Sequence, residues 1–388
     1  MTEITVYDPT LSPTVSTKFN GFIRPSGNIA KWSAKRGART SPVTLELIRD
    51  NIRQLNLSVQ PKDMVINLSQ VFYDFTDGRA KMIPFSINRQ GQRVTGEPMF
   101  FTTHGWSQWG KQLGLPRSGA NFIKECATRM GGERGLQIAT MNALSWGARV
   151  DKSVTVRTHR YNGELYIRSI VSGQYGIYDN LDFIEDVLAE LGNQSVYRGQ
   201  ITDSGMMLRL VDSVETGEIQ TNTLYQTLNL WNSEVGFKRA GMGAGTMRLS
   251  CLNGMGEYTS SGIHQWSHRG SSQRISDGVA GVAQAIRTKS SGLVDEYNRA
   301  LDMQIANTFD DMMSWVGTTA VDSSPMFNKS RMGDLETAMF DETGNDPLTL
   351  AGVVDGITLM AQDLDVFEQM EAERIAVKVM RQGIREFA

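Results

Sequence analysis

Cys251, His264 and His268 are spaced Cys-x12-His-x3-His within "CLNGMGEYTSSGIHQWSH". Such a run is the larger part of a zinc-finger pattern, in which a second cysteine stands two to four residues before the first. Here those positions hold Thr246, Met247 and Arg248, none of which is a ligand of that class. A Cys/His nucleophile needs a base oriented by a third group, which spacing alone does not supply. The plainer reading is a packed strand cysteine, with His264 and His268 as polar contacts to phosphate or to another subunit. No metal and no cofactor is expected.

Just upstream, "KRAGMGAGTMR" sets Gly241, Gly243 and Gly245 between Lys238, Arg239 and Arg248. Glycines let a backbone approach a phosphate closely, and flanking cations add charge. No Gly-Lys-Ser/Thr follows, and the run does not open a helix, so neither nucleotide-binding signature applies. A flexible strand connection and a nucleic-acid backbone contact both remain open.

A third cluster lies in "VRTHRYNGELYIR". Alternation places Arg157 and His159 on one sheet face, with Arg160 and Arg168 expected on the other and Tyr161 nearby. A cationic face with aromatics can track a single nucleic-acid strand; solvated strand residues are the bland alternative. A fourth is the stretch 9–45, which has no Asp or Glu but carries Lys31, Lys35, Arg36 and Arg39 among its cations, with Trp32 interleaved. Its Gly, Ser and Pro content reads as a basic, partly flexible arm.

The elements that must position these residues are read from periodicity. "MVINLSQVFYDF" and "AKMIPFSINRQGQRV" have strand character, and "SQWGKQLGLPRSGANFIKECATRM" reads as two helices around a Pro-Arg break. Asn162-Gly163 marks a hairpin, followed by the amphipathic helix "NLDFIEDVLAEL". A second hairpin is expected at Asp203-Ser204-Gly205, then two strands, "YQTLNLWNSEVG" and "GTMRLSCLNGM". From Arg274 onward the pattern is helical. The expected class is α+β, a central antiparallel sheet with β-hairpin–helix units and a helical C-terminal region. Its divisions are a basic arm at 1–50, an α+β core at 51–273 and an acidic helical region at 274–388.

Composition fits an ordinary globular chain of 388 residues, 40% hydrophobic and 21% charged. No run of about 18 apolar residues predicts a membrane span. Two cysteines are too few for a disulfide framework, so a reducing compartment is expected. Charge is split. Residues 291–388 hold 18 Asp/Glu against 7 Lys/Arg, and subtraction from the chain totals of 42 and 39 leaves 24 against 32 in residues 1–290. A basic body with an acidic end hints at an anionic partner or at an acidic segment that docks elsewhere.

Several segments together resemble a family. "YIRSIVSGQYGIYDNLDFIEDVLAEL", "LNLWNSEVGFKRAGMGAGTMRLSCLNGM", "SGIHQWSHRG" and "LTLAGVVDGITLMAQDLDVFEQMEAERIAVKVM" follow the order seen in the phage- and plasmid-encoded family called domain of unknown function 932. The matching positions are Ser172, Tyr175, Asp179 and Asn180; Arg248, Cys251, Asn253 and Gly254; and His268 with Gly270, flanking Arg269. The resemblance spans roughly residues 95–385 and departs at Gly173 and Gly176, where the family has larger or charged residues. More distantly, the hairpin–helix order is similar to phage single-strand annealing proteins of the Redβ and Erf type. That resemblance implies single-stranded DNA as partner, and self-assembly into a ring or filament. It also implies a replication or single-strand-binding protein as a further partner, and action in the cytoplasm of an infected bacterial host without covalent chemistry. Two other classes stay open: a virion or host-interaction protein, and an enzyme acting on DNA or nucleotides through Cys251, His264 and His268.

Overall fold

The computed structural model describes residues 5–6, 28–33, 43–75, 79–129, 132–202, 205–219, 222–248, 254–256, 263–270, 273–287, 290–321, 324, 326–341, 346–361, 364 and 366–388. Strands β1 (Thr5–Val6), β2 (Asn28–Ser33) and β3 (Val43–Thr44) precede helix α1 (Leu45–Val59). Next come β4 (Lys62–Asn67), β5 (Val71–Asp74), β6 (Lys81–Ile87), β7 (Arg93–Thr95) and β8 (Met99–Phe101). Helices α2 (Thr103–Gln112), α3 (Arg117–Arg129) and α4 (Gly132–Gly147) follow. The middle holds β9 (Ser153–Tyr161), β10 (Glu164–Ser172), α5 (Asn180–Leu191), β11 (Ser195–Thr202), β12 (Met206–Ile219), β13 (Asn222–Asn232) and β14 (Ala240–Arg248). Short strands β15 (Gly254–Gly256) and β16 (Ile263–Trp266) then lead to helices α6 (Gln273–Arg287), α7 (Ser290–Ala300) and α8 (Phe309–Val321). The chain closes with α9 (Lys329–Asp341), α10 (Leu350–Met360) and α11 (Val366–Phe387).

The class is α+β, with hairpins, an intervening helix and a helical C-terminal region. Among the described residues the strands are shared between two sheets. The larger runs β1-β2-β11-β12-β13-β14-β15, with β3 on β11 and β16 on β14. The smaller runs β4-β9-β10-β8-β6-β5, with β7 on β6. Its β8–β10 pair is parallel, joined through the α2–α4 crossover and β9, while its other pairs are antiparallel.

Local chemistry explains the boundaries. Asn162 and Gly163 take φ of 49° and 83°, as a two-residue turn matched to strand twist requires. Asp179 caps α5 in a capping box with Asp182, and the Thr349 hydroxyl accepts from Gly352 N at the start of α10. Ile201 pairs with Met206 on either side of the second expected hairpin, whose residues 203–204 lie outside the described ones.

Three cores result. α2–α4 cover one face of the smaller sheet, where Trp106 and Trp109 pack among Tyr73, Met82, Phe101 and Val156. α1, α5 and α6 cover the larger sheet through Ile48, Phe183, Ile275 and Val279. α7–α11 build the third around α10, whose Val353, Val354 and Ile357 have no exposed surface. Residue 50 therefore lies inside α1, and α6 belongs to the larger sheet's core rather than to the helical one. Among the described residues no helix is long and apolar enough to cross a membrane.

Candidate functional site

The β9–β10 hairpin carries Arg157 and His159 to the face of the smaller sheet turned away from α2–α4. Arg157 is only 2% exposed, because the turn between β13 and β14 closes over it. Each of its three nitrogens donates inside the protein. Nε donates to Asp63 Oδ1 at 3.0 Å, Nη1 to the Glu234 carbonyl at 2.5 Å, and Nη2 to Asp179 Oδ1 at 2.5 Å. Arg168 donates to Glu234 Oε2 at 2.8 Å, while Glu234 Oε1 accepts the first backbone N–H of α5, from Asn180, at 2.8 Å. This network ties β4, β9 and β10 of one sheet to the β13–β14 turn of the other.

Arg168 was expected on the side opposite Arg157, and the structure places both on Glu234. The two-residue turn sets Tyr161 against Glu164, so parity reverses between the strands, and the register shift at Ile167/Ser169 leaves Arg168 as the extra residue beside the Arg157–Ser169 pair. Arg160 does lie on the helix side. It pairs with Glu97 through two contacts of 2.7 and 2.8 Å and also donates to the Gly163 carbonyl.

Around the network, Tyr175 stacks on His268 with centroids 4.9 Å apart and planes within 8°. Tyr175 OH donates to the Ser233 carbonyl, Gly176 N to the His268 carbonyl, and Tyr175 forms an isolated bridge with Arg269. Asn232 donates to the Tyr178 carbonyl and to Asn180 Oδ1. Tyr175, Asp179 and Asn180 thus share one junction between the sheets with His268, about 90 residues further along the chain.

Electrostatics follow from burial and pairing. For Arg157, burial works against the charge, but Asp179, Glu234 and Asp63 together raise its pKa above the usual arginine value. Burial, with the nearby Glu234 charge, pushes Asp179 up to about 6. Burial also acts to raise Glu234, yet Arg168 and Arg157 hold it below the ordinary range. Burial lowers His268, and lowers His159 strongly with help from the Arg168 charge, so both rings are neutral at pH 7. A neutral His268 facing the Gly176 carbonyl through Nδ1 must donate there, which makes Nε2 a buried acceptor.

The expected exposure of these groups therefore needs correcting. Arg157, His159 and His268 are interior, and Arg157 and Arg168 spend their charge on carboxylates because an unpaired buried cation is costly. The glycine run is corrected too. Gly241, Gly243 and Gly245 stand inside β14, their backbones paired with β13, β15 and β16, and buried. Gly241 is glycine because any Cβ there would run into the Trp231 indole.

Three residues around Tyr175 do reach solvent. Gly236, at φ 70°, packs beside the Tyr175 ring and turns Phe237 outward, 54% exposed, with its ring 5.9 Å from His104. Arg239 ends the same turn and is exposed, as is Arg269 on the other side of Tyr175. Lys238 is half-buried near Glu371, whose carboxyl is held low chiefly by Arg374 and to a smaller degree by Lys238. Lys31 lies in β2 opposite Gln200, and Arg248 at the end of β14 opposite Leu224. Lys35, Arg36, Arg39 and Cys251 lie outside the described residues. His264 is half-buried in β16, opposite Met242. Among the described residues no group of His, Cys, Asp and Glu could hold a metal ion.

Sequence reasoning missed Asp63, Glu234 and Phe237. Asp63 meets Arg157 across the β4–β9 pairing from 94 residues away and Glu234 reaches it from the other sheet, so neither carries a local signal of its arginine partner, and a lone Phe in a turn looks like core. The chain matches no family model, no curated protein and no solved structure.

Proposed function

We propose that the chain is a bacteriophage protein that binds single-stranded DNA and promotes its annealing during recombination or replication. The observation that carries this reading is the solvent-facing set Phe237, Arg239 and Arg269, held at the rim of the sheet junction by the Arg157–Glu234 network. Arginines neutralise phosphates, and an exposed ring gives an unpaired base a surface to stack on. Lys31, Lys35, Arg36 and Arg39 add cations from the N-terminal stretch, while the buried arginines and His268 keep the rim in place rather than touch the strand. Bases left facing outward stay available to a complementary strand, so neither cofactor nor covalent chemistry enters. In this reading the protein acts in the cytoplasm of an infected bacterial host and self-assembles, with the acidic helices as a surface for a replication or single-strand-binding protein.

Replacing both arginines, Arg239→Ala with Arg269→Ala, tests the rim. Binding of a labelled oligothymidylate should weaken, and the slope of log affinity against log salt should fall by about 1.4, at roughly 0.7 for each phosphate no longer neutralised. Unchanged affinity and slope would contradict the assignment.

A second reading, a virion or host-interaction protein, has its own observation. Phe122 on α3 and Met141 and Trp146 on α4 are 56%, 69% and 39% exposed, which suits protein contact. Presence in purified virions at fixed copy number would favour it.

A further inference from the structure

Helices α2–α4 cover one face of the smaller sheet. On the other, the register aligns His159, Tyr166, Phe100 and Lys81 in a single cross-strand row over β9, β10, β8 and β6. Neighbouring rings touch along it: His159–Tyr166 centroids are 6.0 Å apart and Tyr166–Phe100 5.6 Å. Arg79 lies over the Phe100 ring at 3.9 Å and Lys81 at 5.7 Å. The Arg157 end of this row is closed by the β13–β14 turn, and its rings are buried.

The far end is open. Alternation along β6 brings Phe85 to the same face as Lys81, and Phe72 on β5 meets it with centroids 4.8 Å apart. Arg93 of β7 is exposed and lies over both rings, 4.8 Å from Phe72 and 4.4 Å from Phe85. Arg79 is paired with Glu164 and Lys81 with Asp74, but among the described residues Arg93 meets no carboxylate. A flat cation stacked on half-buried aromatics at a sheet edge is chemically suited to an unpaired nucleobase, whose π face stacks on guanidinium or phenyl while the adjoining phosphate meets positive charge.

Resting on the single-strand-binding function proposed above, we propose that the Phe72–Phe85–Arg93 corner is a base-stacking site for single-stranded nucleic acid. It gives the strand a second contact, at the far corner of the smaller sheet, apart from the sheet junction. Phe72 and Phe85 supply apolar ring surface, Arg93 a stacking plane with charge, and Lys81 and Arg79 the cations further along the row.

The test compares an oligothymidylate with an abasic oligonucleotide of equal length, by fluorescence anisotropy at fixed salt. The full-length protein should bind the thymidylate more tightly. Phe72→Ala with Phe85→Ala should cut that preference by about fivefold or more, the lower range for removal of one stacked base. Arg93→Lys keeps the charge but loses the plane, so it too should lower the preference while leaving abasic binding unchanged. Phe72→Leu with Phe85→Leu, checked by circular dichroism melting, preserves apolar packing and should still lose preference. Equal wild-type affinity for both polymers, or a preference that no variant alters, would overturn the corner as a base site while leaving the single-strand function standing. That outcome would make the corner, with its exposed β7 edge, a protein-facing surface. Failure of the wild type to bind either polymer at low salt would overturn both proposals.

Discussion

At the scale of residues, two positions show how far chemistry is decided by neighbours. Gly241 reads as a flexible or phosphate-facing glycine, yet the Trp231 indole occupies the space of its missing side chain. Gly241→Ala should therefore cost about 1–3 kcal/mol by overpacking, visible as a lower denaturant midpoint. Asp179 is the second. Its folded pKa is raised to about 6 by burial and by Glu234, above its unfolded value, so ionising it removes stability as pH rises through that range. Asp179→Asn keeps a capping side chain without the charge. The variant should gain stability relative to wild type from about pH 4 to about pH 7, because the buried histidines, shifted downward, titrate in both proteins and cancel. A difference that stays flat over that range would show that Asp179 does not titrate there. Tyr175, Asp179 and His268 could be marked in the sequence. Their partners Asp63 and Glu234 could not, since Asp63 meets Arg157 only through the β4–β9 pairing and Glu234 only after the two sheets have been brought together.

Elements were legible wherever their signals are local. Asn162-Gly163 turns as expected, Asp179 caps α5, and the change to a helical period after Arg274 falls on α6. The division into two sheets was not legible, because the parallel β8–β10 pairing and the β2–β11 pairing join segments about 70 to 170 residues apart with no local trace. The docking of α11 belongs to the same class. Arg209 of β12 and Glu373 of α11 form a buried pair with two contacts of 2.6 Å, supported by Asn229 and Gln369. Arg209→Met strands a buried carboxylate and should destabilise by roughly 3–5 kcal/mol, whereas Arg209→Met with Glu373→Leu should recover most of that deficit. Equal destabilisation by single and double variants in chemical unfolding would mean that the pair's packing matters more than its charge.

On the scale of the whole molecule, the charge split acquires a structural meaning. The acidic C-terminal helices form their own core and pack on the larger sheet through α7 and α11, so they lie against the basic body. At the far edge of the smaller sheet Arg93 stands exposed over the Phe72 and Phe85 rings, and the junction rim adds Phe237, Arg239 and Arg269. Both surfaces suit a polyanion with exposed bases, and the acidic helices repel one. Binding of a labelled oligothymidylate across a salt series tests this most directly. The expected result is measurable affinity at low salt, falling linearly in log affinity against log salt concentration, with competition by single-stranded DNA stronger than by duplex. Absence of binding at low salt would contradict the account.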